Sequence, residues 1–357
     1  MRTFNNLAVT GGAGFIGSNF IRYLFKKINF RGRVINIDKL TYAGNLENLV
    51  DINFEFGGHR YFFERVDICN YEKVKEIFRC YEVDSVAHFA AESHVDRSIF
   101  GPRDFLITNI VGTFTLLEIV RELWQRRQDV LFHHISTDEV FGSLEDTGYF
   151  YETSPYDPKS PYSASKASSD HFVRAYHHTY EIPITISNCS NNYGPYQFPE
   201  KLIPLMILNM IEGKPLPVYG DGKNVRDWLY VEDHASAIWN IMQQGRIGET
   251  YNIGGENEWE NIKLVNVLCE LVAKIMEKEE DDYKKLITFV RDRPGHDRRY
   301  AINCDRLKRE LGWKRSVDFI SGLELTIRWY LSNEKWIKNI KSGEYQKWID
   351  LNYGNRE

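Results

Sequence analysis

The chain has 357 residues, of which 43% are hydrophobic and 27% charged, enough for one large α/β domain and a smaller lobe. Its net charge of −5 excludes the basic footprint of a nucleic-acid-binding protein. The five cysteines are scattered without CxxC spacing, so we expect neither a structural zinc site nor a disulfide framework. No apolar run has the length of a signal peptide or a membrane span, and we expect a soluble, cytoplasmic protein without a metal.

The first half of the chain alternates short apolar, β-branched runs with segments of helix length. This pattern is typical of a parallel sheet covered by helices on both faces. The predicted strands are residues 7–10, 33–38, 61–66, 85–90, 130–137 and 182–188. The predicted helices include residues 18–27, 74–80, 111–126 and 163–180. We therefore predict an α/β protein whose residues 1–192 form a Rossmann-like, doubly wound parallel sheet.

From about residue 193 the chain changes to loops rich in Gly, Pro and aromatic residues, with single helices such as 264–276 between them. The charged run 277–285 is predicted to be a solvated connection. We predict a smaller mixed α/β lobe for the substrate in residues 193–225 and 256–357, the latter with the C-terminal tail. Residues 226–255 are expected to return to the first domain.

A glycine-rich turn follows the first predicted strand and opens the first helix. Gly11, Gly14 and Gly17 leave room for a tight turn, for a pyrophosphate and for close packing of the helix on the strand. Phe15 and Ile16 lie within this turn, where the helix N-terminus offers backbone N–H groups to phosphates. Taken alone the motif also fits a plain β–α turn.

An acidic residue at the end of the second strand gives this turn its function. Asp38 lies about 20 residues beyond Gly17, where a carboxylate accepts hydrogen bonds from an adenosine ribose. A carboxylate repels a 2′-phosphate, so the sequence favours NAD over NADP, although the adjacent Lys39 weakens this preference slightly. Asp67 and Ile68, after the third strand, are predicted to flank the adenine.

Tyr162 and Lys166 lie four residues apart, on one face of the helix that Pro161 introduces. A phenol has an ordinary pKa of about 10, which a neighbouring ammonium and a nicotinamide cation would lower. Tyr162 could then accept a hydroxyl proton while hydride leaves the same carbon for NAD, and Lys166 would hold the nicotinamide ribose. The spacing alone is weak evidence, but with the glycine-rich turn and Asp38 it is strong.

The combination resembles the extended short-chain dehydrogenase/reductase family. In that family a Ser or Thr after the fifth strand precedes the Tyr-x-x-x-Lys motif, and here the segment reads STDEVFG at residues 136–142. Epimerases of the family usually carry small or hydroxyl residues where this chain has Asp138 and Glu139. The acid pair resembles the nucleotide-sugar 4,6-dehydratases, most closely the branch acting on dTDP-glucose. Further similar segments are residues 38–45, 90–96, 191–195, 198–204, 226–230 and 292–296.

The resemblance implies a role for each acid. Oxidation of the sugar at C4 acidifies the hydrogen at C5, which Glu139 would remove. Asp138, kept protonated, would donate to the departing C6 hydroxyl, because adjacent acids take opposite roles when their environments separate their pKa values. Thr137 would bond the 4-hydroxyl or the developing oxyanion. Returning hydride to C6 would give a 4-keto-6-deoxy sugar. Without Thr137 and Tyr162 nearby, the acid pair would be read as a solvated turn.

The resemblance also implies binding residues, each of which alone is more often a packing or surface residue. Further residues expected at NAD are Leu40, Thr41, Gly44, Ala90, Ala91, Ser93, Thr108 and Asn192, with Lys39, Tyr162 and Lys166. Those expected at the nucleotide sugar are Ser93, Thr137, Asn191, Lys201, Leu202, Pro217, Tyr219, Arg226, Asn261, Arg293 and His296. Among them Arg226 and Asn191 would bind the phosphates, and Tyr219 would stack on the base.

Three alternatives remain open from the sequence. The same reaction could use UDP-glucose or UDP-N-acetylglucosamine, the chain could be a nucleotide-sugar 4-epimerase, or it could be a catalytically silent NAD-binding protein. We also expect a homodimer formed through helices 111–126 and 163–180, with no nucleic-acid or membrane partner. His88, His133 and His134 lie in predicted buried strands and are interpreted as core residues.

Overall fold

The computed structural model describes residues 1–341, so the end of the predicted C-terminal tail, residues 342–357, lies outside the described part. The strands in residues 1–341 are β1 (Asn6–Thr10), β2 (Arg33–Asp38), β3 (Tyr61–Arg65), β4 (Ser85–His88), β5 (Leu131–Thr137), β6 (Ile184–Cys189), β7 (Asn191–Tyr193), β8 (Leu216–Tyr219), β9 (Val225–Tyr230), β10 (Thr250–Ile253), β11 (Glu258–Glu260) and β12 (Ile287–Val290). Seven of these described strands form a parallel sheet in the order β10-β6-β5-β4-β1-β2-β3. This confirms the predicted Rossmann-like fold.

Helices cover both faces of this sheet and build the second lobe. Those within residues 1–341 are α1 (Phe15–Arg22), α2 (Val50–Phe56), α3 (Tyr71–Cys80), α4 (Val95–Phe100), α5 (Pro102–Phe105), α6 (Thr113–Trp124), α7 (Pro161–Tyr180), α8 (Leu202–Glu212), α9 (Val231–Gln244), α10 (Asn261–Met276), α11 (Asp281–Lys284), α12 (Asp305–Leu311), α13 (Phe319–Ser332) and α14 (Glu334–Ile340). Wider π-helical turns extend α1 through Tyr23–Lys27 and precede α6 at Leu106–Gly112. None of the helices described for residues 1–341 is long and apolar enough to cross a membrane.

Two predicted strands, 85–90 and 182–188, differ from the observed ones by two residues at one end, whereas the end differences of the other predicted strands are at most one residue. Strand β4 ends at His88, because Ala90 donates its N–H to the Thr10 hydroxyl (3.3 Å) and the chain then leaves the sheet. Strand β6 begins at Ile184 because Pro183 has no N–H to give to a ladder, although its carbonyl accepts from Phe132 N–H (2.9 Å). After β4 the chain therefore leaves the sheet two residues earlier than predicted, at the carboxyl edge where ligands bind in such folds.

The sequence after residue 193 contributes to both parts of the molecule. Strand β10 pairs with β6 at the edge of the large sheet, and α9 packs against α1. The remaining elements form a second apolar core in which α8, α10 and α13 pack together. The prediction that residues 277–285 form a solvated connection is wrong at Tyr283. This residue lies in α11, is buried, and donates its hydroxyl to Met276 Sδ (3.4 Å).

The buried histidines pair with hydroxyl groups in the core. His88 lies between Thr10 (Nδ1 to Oγ1, 2.7 Å) and Thr113 (Nε2 to Oγ1, 2.9 Å). His133 contacts Thr185 (2.9 Å) and Ser187 (3.1 Å) in the same way. Burial lowers the pKa of His133 to about 3, so this ring stays neutral and structural at physiological pH.

Candidate active site

A cavity of about 290 Å³ opens at the carboxyl ends of the parallel strands. It is bordered by the segments that follow β1, β2, β3, β4, β5 and β6, which is where open α/β sheets bind ligands. The predicted site residues that line it are Gly11, Gly14, Phe15, Ile16, Gly17, Asp38, Lys39, Thr41, Gly44, Asp67, Ile68, Ala90, Ala91, Ser93, Thr108, Thr137, Asp138, Glu139, Tyr162, Lys166, Asn191, Asn192 and Lys201. One cavity therefore brings together most of the predicted cofactor residues and all of the predicted catalytic residues.

The glycine-rich turn fits a dinucleotide because the chain approaches itself closely there. A Cβ on Gly11 would lie 2.7 Å from the Ala90 backbone, and one on Gly17 would lie 2.4 Å from the Gly11 carbonyl oxygen. Gly14 is more open, since its Cβ would meet only the Gly11 carbonyl, at 3.3 Å. Within residues 1–341 no side chain caps the start of α1, so its N-terminus offers N–H groups to an anion in the cavity.

Replacing Gly17 by alanine is expected to lower the free energy of unfolding by about 1–3 kcal/mol, because the new methyl group overpacks a backbone that cannot yield. Gly101→Ala is the matched control, since a Cβ there would lie 3.8 Å from the Arg97 carbonyl oxygen, at ordinary contact distance. Urea unfolding of both variants measures the difference. Equal unfolding free energies for the two variants would contradict the close approach at Gly17.

The Asp38 carboxylate is held in place by backbone N–H groups. It accepts from Ala13 (3.0 Å) and Leu40 (2.8 Å), while burial raises its pKa. Leu40 does not line the cavity; its contribution is this N–H group, presented from a left-handed backbone conformation (φ 60°). Lys39 lies 2.7 Å from Asp67, so its charge is paired with a carboxylate other than Asp38. The geometry keeps the Asp38 carboxylate available to ribose hydroxyls.

Asp138 is a buried acid in a short 3₁₀ turn directly after β5. Thr137 donates its hydroxyl to Asp138 Oδ1 (3.3 Å) and accepts from Glu139 N–H (3.3 Å), which fixes the turn. Asp138 is 2% exposed, and its Oδ2 has no hydrogen-bond partner among the described residues. Burial, followed by the charges of Glu139 and Asp227, raises its pKa well above the usual range. The surroundings of this side chain therefore favour its neutral form, in which Oδ2 can carry a proton.

Glu139 has a different electrostatic environment. Burial raises its pKa as well, but the positive charges of Arg293, Lys201 and Arg226 oppose that shift. For Asp138, the charge of Arg226 lowers the pKa, whereas the charges of Glu139 and Asp227 raise it. The surrounding charges therefore favour ionisation of Glu139 over ionisation of Asp138.

Tyr162 is the second residue of α7, whose start is fixed by a capping box between Ser160 and Ser163. Its ring packs edge-on against Phe105, with centroids 6.2 Å apart. Burial, and then the Glu139 charge, raise the pKa of Tyr162 well above 10. The predicted lowering of this pKa depends on a neighbouring ammonium together with a bound nicotinamide cation, and it stays a prediction.

A buried network behind Lys166 was not predicted from the sequence. Lys166 donates from Nζ to the Ile135 carbonyl (2.8 Å), and burial lowers its pKa while the charge of Asp170 raises it. Asp170 is completely buried; it accepts from Ser136 (2.8 Å) and lies 3.1 Å from His134 Nε2. The available signal was the position of Asp170, which follows Lys166 by one helical turn on the buried face of α7.

The other predicted substrate residues do not line this cavity; they are Leu202, Pro217, Tyr219, Arg226, Asn261, Arg293 and His296. Several gather around Asp96, an acid that the sequence analysis did not assign. Tyr219 donates to Asp96 (3.2 Å), and Arg293 Nη1 lies 3.9 Å from the same carboxylate. The His296 ring meets the Tyr219 ring edge-on at 6.1 Å. These residues form a second group outside the lining of the cavity. The charge of Arg293, in this group, lowers the pKa of Glu139 in the cavity.

Unsatisfied polar groups indicate where a ligand would bind. The side-chain oxygens of Asn191 and Asn261 are buried without a hydrogen-bond partner in the described part of the chain. Arg226 is buried; it donates to the Asp297 carbonyl (2.9 Å), and its guanidinium lies 4.3 Å from the Tyr300 ring centre. The amide oxygens fit a ligand that carries N–H or O–H donors, and the buried Arg226 guanidinium fits an anionic group. Leu202 is the first residue of α8, and Pro217 lies in β8.

The family described as GDP-mannose 4,6 dehydratase matches residues 8–326 of this sequence. The chain belongs to this family. A dTDP-glucose 4,6-dehydratase of Shigella flexneri is 54% identical over 365 residues, covering 98% of this chain and 99% of that protein. The resemblance to extended short-chain dehydrogenases/reductases and to this branch of the 4,6-dehydratases is confirmed.

Solved structures of 4,6-dehydratases have the same architecture as this family member. A dTDP-glucose 4,6-dehydratase from Bacillus anthracis in complex with NAD has a TM-score of 0.83 and 46% identity, covering 94% of this chain and 100% of that chain. A second such enzyme, from Streptomyces venezuelae with NAD and dTDP bound, has a TM-score of 0.86 and 44% identity, and it too covers 94% of this chain and 100% of that chain. The similarity thus spans both lobes of the protein.

Proposed function

We infer that this chain is an NAD-dependent dTDP-glucose 4,6-dehydratase, a hydro-lyase that forms dTDP-4-keto-6-deoxyglucose. The similarity to dTDP-glucose 4,6-dehydratases over nearly the whole chain supports this function. The observation that carries it is the acid pair: a buried Asp138, whose pKa is raised well above its usual range, beside a Glu139 on which three cations act. A 4-epimerase has no elimination step and no use for such a pair. A silent NAD-binding protein would need neither acid.

The first step removes hydrogen from C4 of the sugar. Bound NAD supplies the hydride acceptor for C4 and a positive charge that favours the phenolate of Tyr162. Tyr162 takes the hydroxyl proton, and Thr137 hydrogen-bonds the oxygen on which the carbonyl develops. Lys166 stabilises the phenolate from one helical turn away, and its position is fixed by the Ile135 carbonyl.

The second step eliminates water across C5 and C6. The C4 ketone makes the neighbouring C5 hydrogen acidic, and Glu139 removes it as the base. Asp138 donates its proton to the C6 hydroxyl, which leaves as water. The hydride then returns to C6 while protonated Glu139 gives its proton back to C5. The proton taken by Tyr162 offsets, through solvent, the one that Asp138 gave up, so the cofactor and the site end as they began. NAD is thus a recycled catalyst in this proposal rather than a co-substrate.

The substrate's diphosphate and base are assigned to the second lobe. We propose that Arg226, Lys201 and Arg293 bind the phosphates, with the Asn191 and Asn261 amides as neutral partners. The base would lie against Tyr219, in β8, with His296 beside it. The test is incubation with dTDP-glucose, UDP-glucose and UDP-N-acetylglucosamine in turn. Preferential turnover of dTDP-glucose supports the assignment, whereas product from the UDP sugars alone would overturn it.

We propose that the protein pairs with a second copy through an apolar surface on α6 and α7, called the α6/α7 face. Phe114 of α6 and Phe172 of α7 are 41% and 39% exposed and contact each other edge-on at 6.1 Å. Leu106, in the turn before α6, is 50% exposed and extends the apolar surface. Two copies of this pair of helices would form a four-helix contact that removes these side chains from water.

Phe114→Glu is expected to raise the dissociation constant of the dimer at least about a hundredfold, because it places a charge in the centre of the apolar contact. Phe54→Glu is the matched control, since Phe54 lies on α2 and is 93% exposed. Light scattering at micromolar concentration measures both. A monomeric native protein, or a dimer unaffected by Phe114→Glu, would contradict this interface.

A further inference from the structure

Two walls of the cofactor cavity are joined by side chains that have no part in the proposed chemistry. One wall is the loop 39–44, which contributes Thr41, Ala43 and Gly44 to the lining. The other is the segment 197–201, which contributes Phe198 and Glu200 among others. These two segments therefore flank a molecule bound in the cavity.

Tyr42, at the tip of the loop, spans the gap between the walls. Its hydroxyl donates to Glu200 Oε1 (2.9 Å), and its ring meets the Phe198 ring edge-on at 5.5 Å. Arg97, from α4, lies with its guanidinium 3.7 Å from the centre of the Tyr42 ring and donates from Nε to Glu200 Oε2 (3.0 Å). Both oxygens of one carboxylate are therefore used to hold the two walls together.

This contact is built in a buried environment. Glu200 is 5% exposed, so its ion pair with Arg97 is screened far less than a surface pair. Burial raises the pKa of Tyr42 well above its usual range, which keeps the phenol protonated as a donor. A hydrogen bond to a buried charged group is stronger than a neutral one, and breaking it leaves the carboxylate without one of its partners.

One end of the loop is attached to the last residue of β2 and the other end to the glycine-rich turn, while its tip is attached across the cavity. Leu40 donates to Asp38 at one end, and Asn45 donates to the Ala13 carbonyl (3.0 Å) at the other. Opening the loop thus requires rotation near these two ends and rupture of the contacts at Tyr42. Leu40 already has a left-handed backbone (φ 60°), a conformation found mainly at turns.

We propose that Tyr42, Arg97, Phe198 and Glu200 form a latch across the cavity that slows the release of NAD. The inference rests on the proposed function, in which the hydride removed from C4 has to stay in the site until C6 accepts it. Loss of the cofactor between these steps would strand an oxidised sugar, so slow release serves the reaction directly. These residues are positioning residues, because they act by closing the cavity.

The test measures how fast NAD leaves the purified holoenzyme. Free NAD is trapped with alcohol dehydrogenase and ethanol, and its reduction is followed by absorbance. Tyr42→Phe keeps the ring and its contacts with Phe198 and Arg97 but removes the bond to Glu200, and we expect release about tenfold faster than from the wild type. Tyr71→Phe is the matched control, since it removes a Tyr–Glu hydrogen bond (to Glu122, 2.5 Å) at the protein surface.

A second variant separates the latch from a structural effect. In a Glu200→Gln background, Tyr42→Phe should accelerate release by a smaller factor than in the wild type, because its partner is already weakened. Release from Tyr42→Phe within about twofold of wild type, or fully additive effects of the two substitutions, would overturn the latch. A lowered melting temperature with unchanged release would overturn it too. A wild-type chain that retains no NAD would instead overturn the proposed function, and the latch with it.

Discussion

Glu139→Gln is expected to stop the reaction after C4 oxidation and to lower the turnover number about a thousandfold, the range that a positioned general base contributes. Glutamine has nearly the same shape but cannot accept the C5 proton. Oxidation at C4 depends on Tyr162 and Thr137 and should continue. The variant should therefore accumulate reduced cofactor and an oxidised sugar when dTDP-glucose is added.

Single-turnover absorbance of the reduced nicotinamide, with product analysis, measures this behaviour. Glu145→Gln is the matched control, because Glu145 is a nearby exposed glutamate after the same turn. Wild-type turnover by Glu139→Gln would show that another group removes the C5 proton. Absence of reduced cofactor in this variant would mean that Glu139 is required for C4 oxidation, contrary to the role assigned here.

Tyr162→Phe is expected to stop the reaction one step earlier, with a loss of about a thousandfold in the rate of C4 oxidation. The phenylalanine ring keeps the edge-on contact with Phe105 but has no oxygen to take the hydroxyl proton. No reduced cofactor should form with dTDP-glucose, and bound NAD should be retained. The two variants thus block successive steps and give opposite absorbance signals.

The same single-turnover experiment tests this prediction. Tyr180→Phe, at the other end of α7, is the matched control because Tyr180 is 44% exposed and remote from the cavity. Oxidation of the sugar at the wild-type rate by Tyr162→Phe would exclude the phenol as the base. That result would move the proton acceptor to another group lining the same cavity.

The dinucleotide-binding fold could be predicted from the sequence because its signals are local. Gly11, Gly14 and Gly17 follow a buried strand directly, and Asp38 ends the next strand, so spacing alone places them at one edge of the sheet. The exact strand ends could not be read in the same way. Pro183 falls inside an apolar run, and only the hydrogen bonds show that β6 starts after it.

The electrostatics of the site depended on contacts that the sequence does not display. Adjacent acids at 138 and 139 indicated a division of roles, but the cations that favour ionisation of Glu139 come from three distant segments. The raised pKa of Tyr162 follows from burial, which spacing on a helix does not give. Asp96, Asp170 and the latch at Tyr42 join residues far apart in the chain, so only the folded structure brings them together.

The central claim is that the hydrogen removed from C4 is returned to C6 within one active site. The most direct measurement uses dTDP-glucose deuterated at C4, converted by the holoenzyme without added NAD, with the methyl group of the product examined by NMR and mass spectrometry. The account predicts a 4-keto-6-deoxy product that carries the deuterium in its C6 methyl group. A product without deuterium at C6, or a C4 epimer in place of the deoxy sugar, would contradict it.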